Sequence, residues 1–539
     1  MDKKKLFLIV FVLIVSLNVV SCSSKSSAPV KDHKNAFTIG SGSENALIWS
    51  EIIEPWCREH SYECLFLKKG SVDLSNATRV DKADDIPFDA IWPAHSMWID
   101  LGNRSYVTNA ESIFKSPVVP ALPLPLAEKL GLVGKQGLTF GDIVELVGSG
   151  KVDAWMTNPT QSNSGAGTYF ALLNHCAGNA SGVPLSMEQL NDAGLQTCVQ
   201  TYLNQIDKSS ESTGFLKDTC LANYEQCPLI FIYESLVIEA NQELLKENKP
   251  PLYALYPNGL PVSDSPLGFI DHNNPEKEKI FTALQEYLLS DAVQARILAL
   301  GRRTHGVGLT LENPDPKVFN PDWGINPSLI IEPVTFPNRE VLQEALLRYA
   351  NQWRKGSFTV YCLDSSGSMS GDPWAALVNA TSEIFDQEKA TKNYLQAGTN
   401  DTTYVMTFNA QVNAGPWQVD GNNAKDLLAL QEHIASHDTG GGTNMYTCLE
   451  RAYQIAQNAN SANRFPAVIL MTDGKSNTGG AERFFEAAAS TKTPVPVFAI
   501  TFGDADESQL QEVARATWGA VLDGKSDLIE AFKKAKGNN

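Results

Sequence analysis

Along the last third of the chain, short apolar runs alternate with amphipathic stretches. Apolar runs fall at 358–363, 403–408, 467–471, 495–501 and 519–522, and helical periodicity fills 373–388, 424–436, 445–458, 481–489, 507–516 and 527–534. Such alternation confines the region to a largely parallel sheet covered by helices on both faces. In sheets of this kind, ligands gather at the carboxyl ends of the strands. The polar loops after these runs are therefore the first place to look for function.

Three of those loops carry a coherent set of oxygens. Asp364, Ser366 and Ser368 form Asp-x-Ser-x-Ser after the first run, Thr443 closes Gly440-Gly441-Gly442-Thr443, and Asp473 lies in Thr472-Asp473-Gly474 after another apolar run. All five donors are oxygens, which suits a hard divalent cation such as Mg2+, with Mn2+ or Ca2+ as alternatives. The hydroxyls are neutral, so such an ion favours a further carboxylate, which a protein partner can supply. No general base, nucleophile pair or phosphate loop accompanies the set, so binding rather than catalysis is expected. The ordered motifs resemble the von Willebrand factor A domain and its metal-ion-dependent adhesion site over roughly 357–539. The resemblance implies a Rossmann-like doubly wound domain in which Ser366, Ser368 and Thr443 touch the metal. Asp364 and Asp473 would then act mainly through water or by orienting the other ligands.

The other end of the chain has the pattern of a secretory signal. Lys3, Lys4 and Lys5 precede an apolar run over 6–17, and the segment closes on Val19-Val20-Ser21-Cys22. The run is short for a membrane span. The closing tetrapeptide resembles the bacterial lipobox, which implies cleavage before Cys22, lipid on that cysteine and membrane attachment by the lipid alone. The expected location is a bacterial cell envelope on the extracytoplasmic side, at the outer membrane if there are two membranes. A Ser- and Lys-rich tether follows to residue 35. The net charge of −18 argues against nucleic acid as a partner. Of nine cysteines, eight remain after Cys22, an even number that suits disulfides in an oxidising compartment. Local pairing joins Cys57 to Cys64, Cys176 to Cys198 and Cys220 to Cys227. Cys362 and Cys448 either pair or stay as buried thiols, and thiols are the favoured reading.

Between tether and C-terminal domain, residues 36–325 read as another α/β domain, with a proline-punctuated linker over 326–356 that includes a helix-like stretch. Ser41 and Ser43 follow the first strand, and Thr157 leads into a loop holding Ser162 and Ser164 ahead of a helix. A strand, a Ser/Thr/Gly loop and a helix N-terminus form a cradle for an anion, though the same residues serve as ordinary helix caps. Trp92 and Trp98 suit core packing better than a ligand cleft. The run 228–240, containing Tyr233 and Glu234, reads as one strand passing into another. These motifs, with a Tyr-Pro turn at 256–257 and Gly301-Arg302, resemble the type 2 periplasmic solute-binding proteins of bacterial importers. The resemblance implies two lobes, crossing segments near 116–122 and 237–240, and a small solute between the lobes. Ser41, Ser43, Thr157, Ser162, Ser164, Tyr233 and Glu234 are its candidate contacts, and the cysteine-bearing stretch 176–227 reads as an insertion. The expected whole is a lipid-anchored binding protein. The alternatives are the substrate-binding component of an ABC-type importer and an adhesin built on a ligand-free scaffold.

Overall fold

The computed structural model describes residues 35–304, 309–330, 332–457, 464–476, 479–490, 494–503 and 505–538. Cys22, the signal segment and nearly all of the tether lie outside them. From Phe37 onward the chain forms one compact unit.

Its first part has two lobes. In lobe I, β1 (Phe37–Ser41) pairs in parallel with β2 (Cys64–Lys68) and β3 (Ala90–Trp92), and β4 (Val107–Ser112) lies at the far edge. The chain crosses at 113–115 into lobe II, which holds β5 (Ser116–Pro123), β6 (Ala154–Thr157), β7 (Ile206–Ser210), β8 (Leu229–Tyr233), β9 (Leu252–Ala254) and β10 (Val262–Ser263). It returns at 264–265 to β11 (Pro266–Ile270), which sits between β3 and β4. A last crossing places Arg303 in a bridge with Lys115.

This topology corrects three expectations. Residues 116–122 are a lobe II strand rather than the crossing itself. The return crossing lies at 264–265, not at 237–240, because Glu234–Lys246 is a helix. Leu236, Val237, Ile238 and Ala240 in its first half are all buried, and this apolar run imitates a strand. The stretch 176–227 is not a simple insertion either. It supplies β7, which pairs in parallel with β6 at the edge of the lobe II sheet.

The segment after residue 326 is not a free linker. Helix Arg339–Arg348 and the turn after it place Val341, Leu342, Ala345, Leu346, Tyr349 and Trp353 in an apolar core built mainly by lobe II and joined by Met97, Trp98 and Leu101 of lobe I. Tyr169 Oη donates to the Ala345 carbonyl at 2.9 Å.

The C-terminal domain is a six-stranded sheet in the order β14-β13-β12-β15-β16-β17. Its strands are β12 (Gly356–Asp364), β13 (Thr402–Phe408), β14 (Val412–Asp420), β15 (Arg464–Thr472), β16 (Val497–Thr501) and β17 (Ala520–Asp523). All neighbours are parallel except the edge strand β14, which the sequence pattern conceals behind Gly415-Pro416. Separate apolar clusters cover the two faces.

The three local disulfides form as expected. Cys362 and Cys448 also form one, in place of the favoured thiols. Both are fully buried on facing elements, strand β12 and helix Met445–Gln457, which the fold packs against each other. Their Cα atoms lie 6.0 Å apart, within disulfide reach.

Candidate metal centre and interlobe cleft

β12 and β15 are adjacent and parallel, so Asp364 and Asp473 emerge side by side at their carboxyl ends. Asp364 is fully buried. One of its oxygens accepts from the Ser366 amide at 2.8 Å and the other from the Thr472 hydroxyl at 2.6 Å. Burial raises its pKa, the nearby Asp473 charge adds to the rise, and these hydrogen bonds oppose it. Ser368 Oγ donates to Asp473 Oδ1 at 2.8 Å and lies 3.1 Å from Ser366 Oγ.

The glycine loop wraps this group. Gly440 N donates to the Ser365 carbonyl at 2.8 Å and Gly367 N to the Gly441 carbonyl at 3.0 Å. Gly441 has φ +85°, a conformation glycine adopts without strain. A methyl placed on Gly474 would lie 3.7 Å from both Ser368 Oγ and Thr443 Oγ1, so the three loops converge on one small volume. Gly367, Ser368, Gly441 and Gly442 are exposed, which leaves one side open to solvent. Among the described residues, no three His, Cys, Asp or Glu side chains gather as a metal cluster. An ion here would rest on two carboxylates and three hydroxyls, and that oxygen-only set fits a hard divalent cation.

The candidate cleft residues separate into three groups. Ser41, Thr157 and Ser164 are fully buried and satisfied within the protein. Ser41 Oγ donates to the Trp92 carbonyl at 3.1 Å, and Ser164 Oγ lies 2.8 Å from Thr157 Oγ1 and 2.7 Å from Thr213 Oγ1. Tyr233 and Glu234 are buried and held by partners of their own, within lobe II and at the last crossing. Tyr233 Oη accepts from Asn163 Nδ2 at 3.0 Å, while Glu234 receives Arg303 on both oxygens at 2.8 and 2.7 Å, with Tyr256 as a further donor. Ser43 and Ser162 alone of the seven line a cavity between the lobes, together with Glu44, Lys68, Lys69, Gln161 and Glu211.

Sequence reasoning passed over Glu44, which directly follows Ser43. Its Oε1 is buried without a hydrogen-bond partner, and burial pushes its pKa up to about 7. Trp98 is a core residue that also ties the lobes, donating to Asn163 Oδ1 at 2.7 Å.

Residues 360–522 match the family described as the von Willebrand factor type A domain. No match was found among curated proteins. Among solved structures, the chain is similar to a von Willebrand factor type A protein from Catenulispora acidiphila. The identity is 20%, over 34% of this chain and 42% of that one, with a TM-score of 0.29. It is similar to an ABC transporter protein from Clostridium perfringens at 12% identity, over 59% of this chain and 98% of that one, TM-score 0.38. The periplasmic molybdate-binding protein of Azotobacter vinelandii matches at 11% identity, over 50% of this chain and all of that one, TM-score 0.33. Among the described residues, no helix is long and apolar enough to cross a membrane.

Proposed function

We propose that this chain is a lipid-anchored, extracytoplasmic binding protein whose C-terminal domain captures a protein partner through a divalent cation. Asp364, Ser366, Ser368, Thr443 and Asp473 would hold the ion, Mg2+ or a similar one. When bound, it offers an open coordination position to a carboxylate of the partner. The observation that carries this reading is the convergence of three loops into an oxygen-only site with one exposed side. Asp364 positions the first loop by accepting the Ser366 amide, and Asp473 orients the Ser368 hydroxyl. Attachment through Cys22 rests on the lipobox-like motif, and the four disulfides are in keeping with an oxidising compartment.

Titration calorimetry of the full chain with Mg2+ tests the reading. Wild type should bind, and Asp364→Ala and Asp473→Ala should each weaken binding at least about tenfold, the lower end for disrupted metal sites. Equal affinity in all three proteins would remove the metal from the proposal.

The two-lobed domain is proposed to take a small solute, with an anion among the candidates. Its support is a pair of sheets joined by three crossings around a polar, partly basic cavity. The competing readings, an importer's substrate-binding component and an adhesin on a ligand-free scaffold, part company at that cavity.

A further inference from the structure

The cavity between the lobes measures about 30 Å³, room for about one or two waters and not for a sugar or an amino acid. The lobes are already shut. Gly214 N of lobe II donates to Ser43 Oγ of lobe I at 3.4 Å. Gly70 of lobe I approaches Gln161 so closely that a methyl on it would lie 2.5 Å from the Gln161 carbonyl oxygen.

A third element spans the mouth. The C-terminal helix Leu528–Gly537 belongs to the von Willebrand factor A-like domain, with Leu528, Ala531, Phe532 and Ala535 in its apolar core. Its opposite side grips both lobes. On lobe I, Glu530 pairs with Lys69 at 3.0 Å, with Asp527 at 3.8 Å from the same ammonium. On lobe II, Gln161 Nε2 donates to the Lys533 carbonyl at 3.1 Å, and Ser209 Oγ donates to the Gly537 carbonyl at 3.4 Å. The Glu211 amide donates to Asn538 Oδ1 at 2.9 Å. Lys534 completes the cavity wall. Gly537 packs so tightly on Gln161 that a methyl there would lie 1.6 Å from Gln161 Oε1.

We infer that the C-terminal helix is a clamp on the interlobe cleft, and that a solute gains entry only when the helix lets go of at least one lobe. The inference rests on the solute reading for its purpose, but the clamp itself is a property of the chain alone. Opening a two-lobed domain means rotating one lobe from the other about the crossings at 113–115, 264–265 and 303. A helix bonded to both lobes opposes that rotation directly. The C-terminal domain thereby controls whether the cleft is accessible, and any event that shifts this helix is felt by both lobes.

Hydrogen exchange of the full chain, without added solute, tests the clamp. Lys69→Glu sets a new carboxylate against Glu530 and Asp527, with Asp73 close by. It should raise exchange at least about tenfold across 68–74, 160–164 and 211–216 while β12 and β15 stay protected. Adding Glu530→Lys to that variant restores an opposite-charge pair and should return the protection. Unchanged exchange in Lys69→Glu overturns the clamp. If Lys69→Glu also loosens β12 and β15, the milder Glu530→Gln decides, with local loosening supporting the clamp and its absence overturning it. A thermal-shift panel of oxyanions, sugars and amino acids on the loosened variant examines the solute reading separately. No shift there, with exchange raised, ends the solute reading and leaves the clamp standing.

Discussion

The Cys362–Cys448 disulfide should hold the proposed metal site together. Cys362 lies two residues before Asp364 and Cys448 five after Thr443, so the bond fastens the strand bearing one ligand loop to the helix that follows another. Replacing both by alanine frees a loop of sequence separation 86 in the unfolded chain. The chain-entropy relation assigns about 4.6 kcal/mol to a loop of that length. For a domain of this size each kcal/mol moves the midpoint by roughly 2–4 °C, so the C-terminal transition should fall by roughly 9–18 °C. Scanning calorimetry of the full chain, with and without Mg2+, measures it. Both sulfurs are fully buried, so reductant should act on the native protein slowly. A drop below about 3 °C, with Mg2+ affinity unchanged, would refute the view that this bond braces the site.

Two further outcomes follow from the lobes. Burial raises Glu44 to about 7 and Asp73 to about 6, with the Glu530 charge adding to the Asp73 shift. For Glu44 the folded state holds its proton more tightly than the unfolded state. Its contribution is therefore full below pH 4.5 and is lost as pH rises through about 7, on the order of 3 kcal/mol in all. Denaturant titrations from pH 5 to 8 should show falling stability, and Glu44→Gln should flatten the fall; superimposable profiles would dismiss this account. A fragment spanning 37–337 should be less stable than one spanning 37–354 by at least about 5 kcal/mol. It loses Val341, Leu342, Leu346, Tyr349 and Trp353 from the large apolar core, and each buried aliphatic side chain contributes about 1.5–3 kcal/mol. Equal urea midpoints would show that the helix adds nothing to that core.

Much of the C-terminal domain was legible because its signals are local. An apolar run bounded by a polar loop reads as a buried strand, and the five oxygens of the proposed metal site lie in motifs a few residues long. Where local signals conflict, reading fails. Val237 and Ile238 favour a strand by their branching, yet they lie in the buried first half of a helix, where the apolar run hides the helical period. β14 carries a proline that argues against a strand, yet an edge position accommodates it. Among the cleft candidates, Ser43 and Ser164 occupy equivalent places in sequence. Only Ser43 lines the cavity, because Thr157 and Thr213 surround Ser164.

The sequence by itself determined the class of each domain, the three polar loops proposed to hold a metal and the three local disulfides, since each depends on neighbours within about 25 residues or on a short motif. The tertiary structure decided the rest. It paired Cys362 with Cys448, moved the return crossing to 264–265, absorbed the segment after residue 326 into lobe II and laid the C-terminal helix across the cleft. Those features rest on contacts such as Gln161 with Lys533, 372 residues apart. No local preference encodes such a contact, because it forms only when whole surfaces, each folded for its own reasons, meet and exclude water from between them.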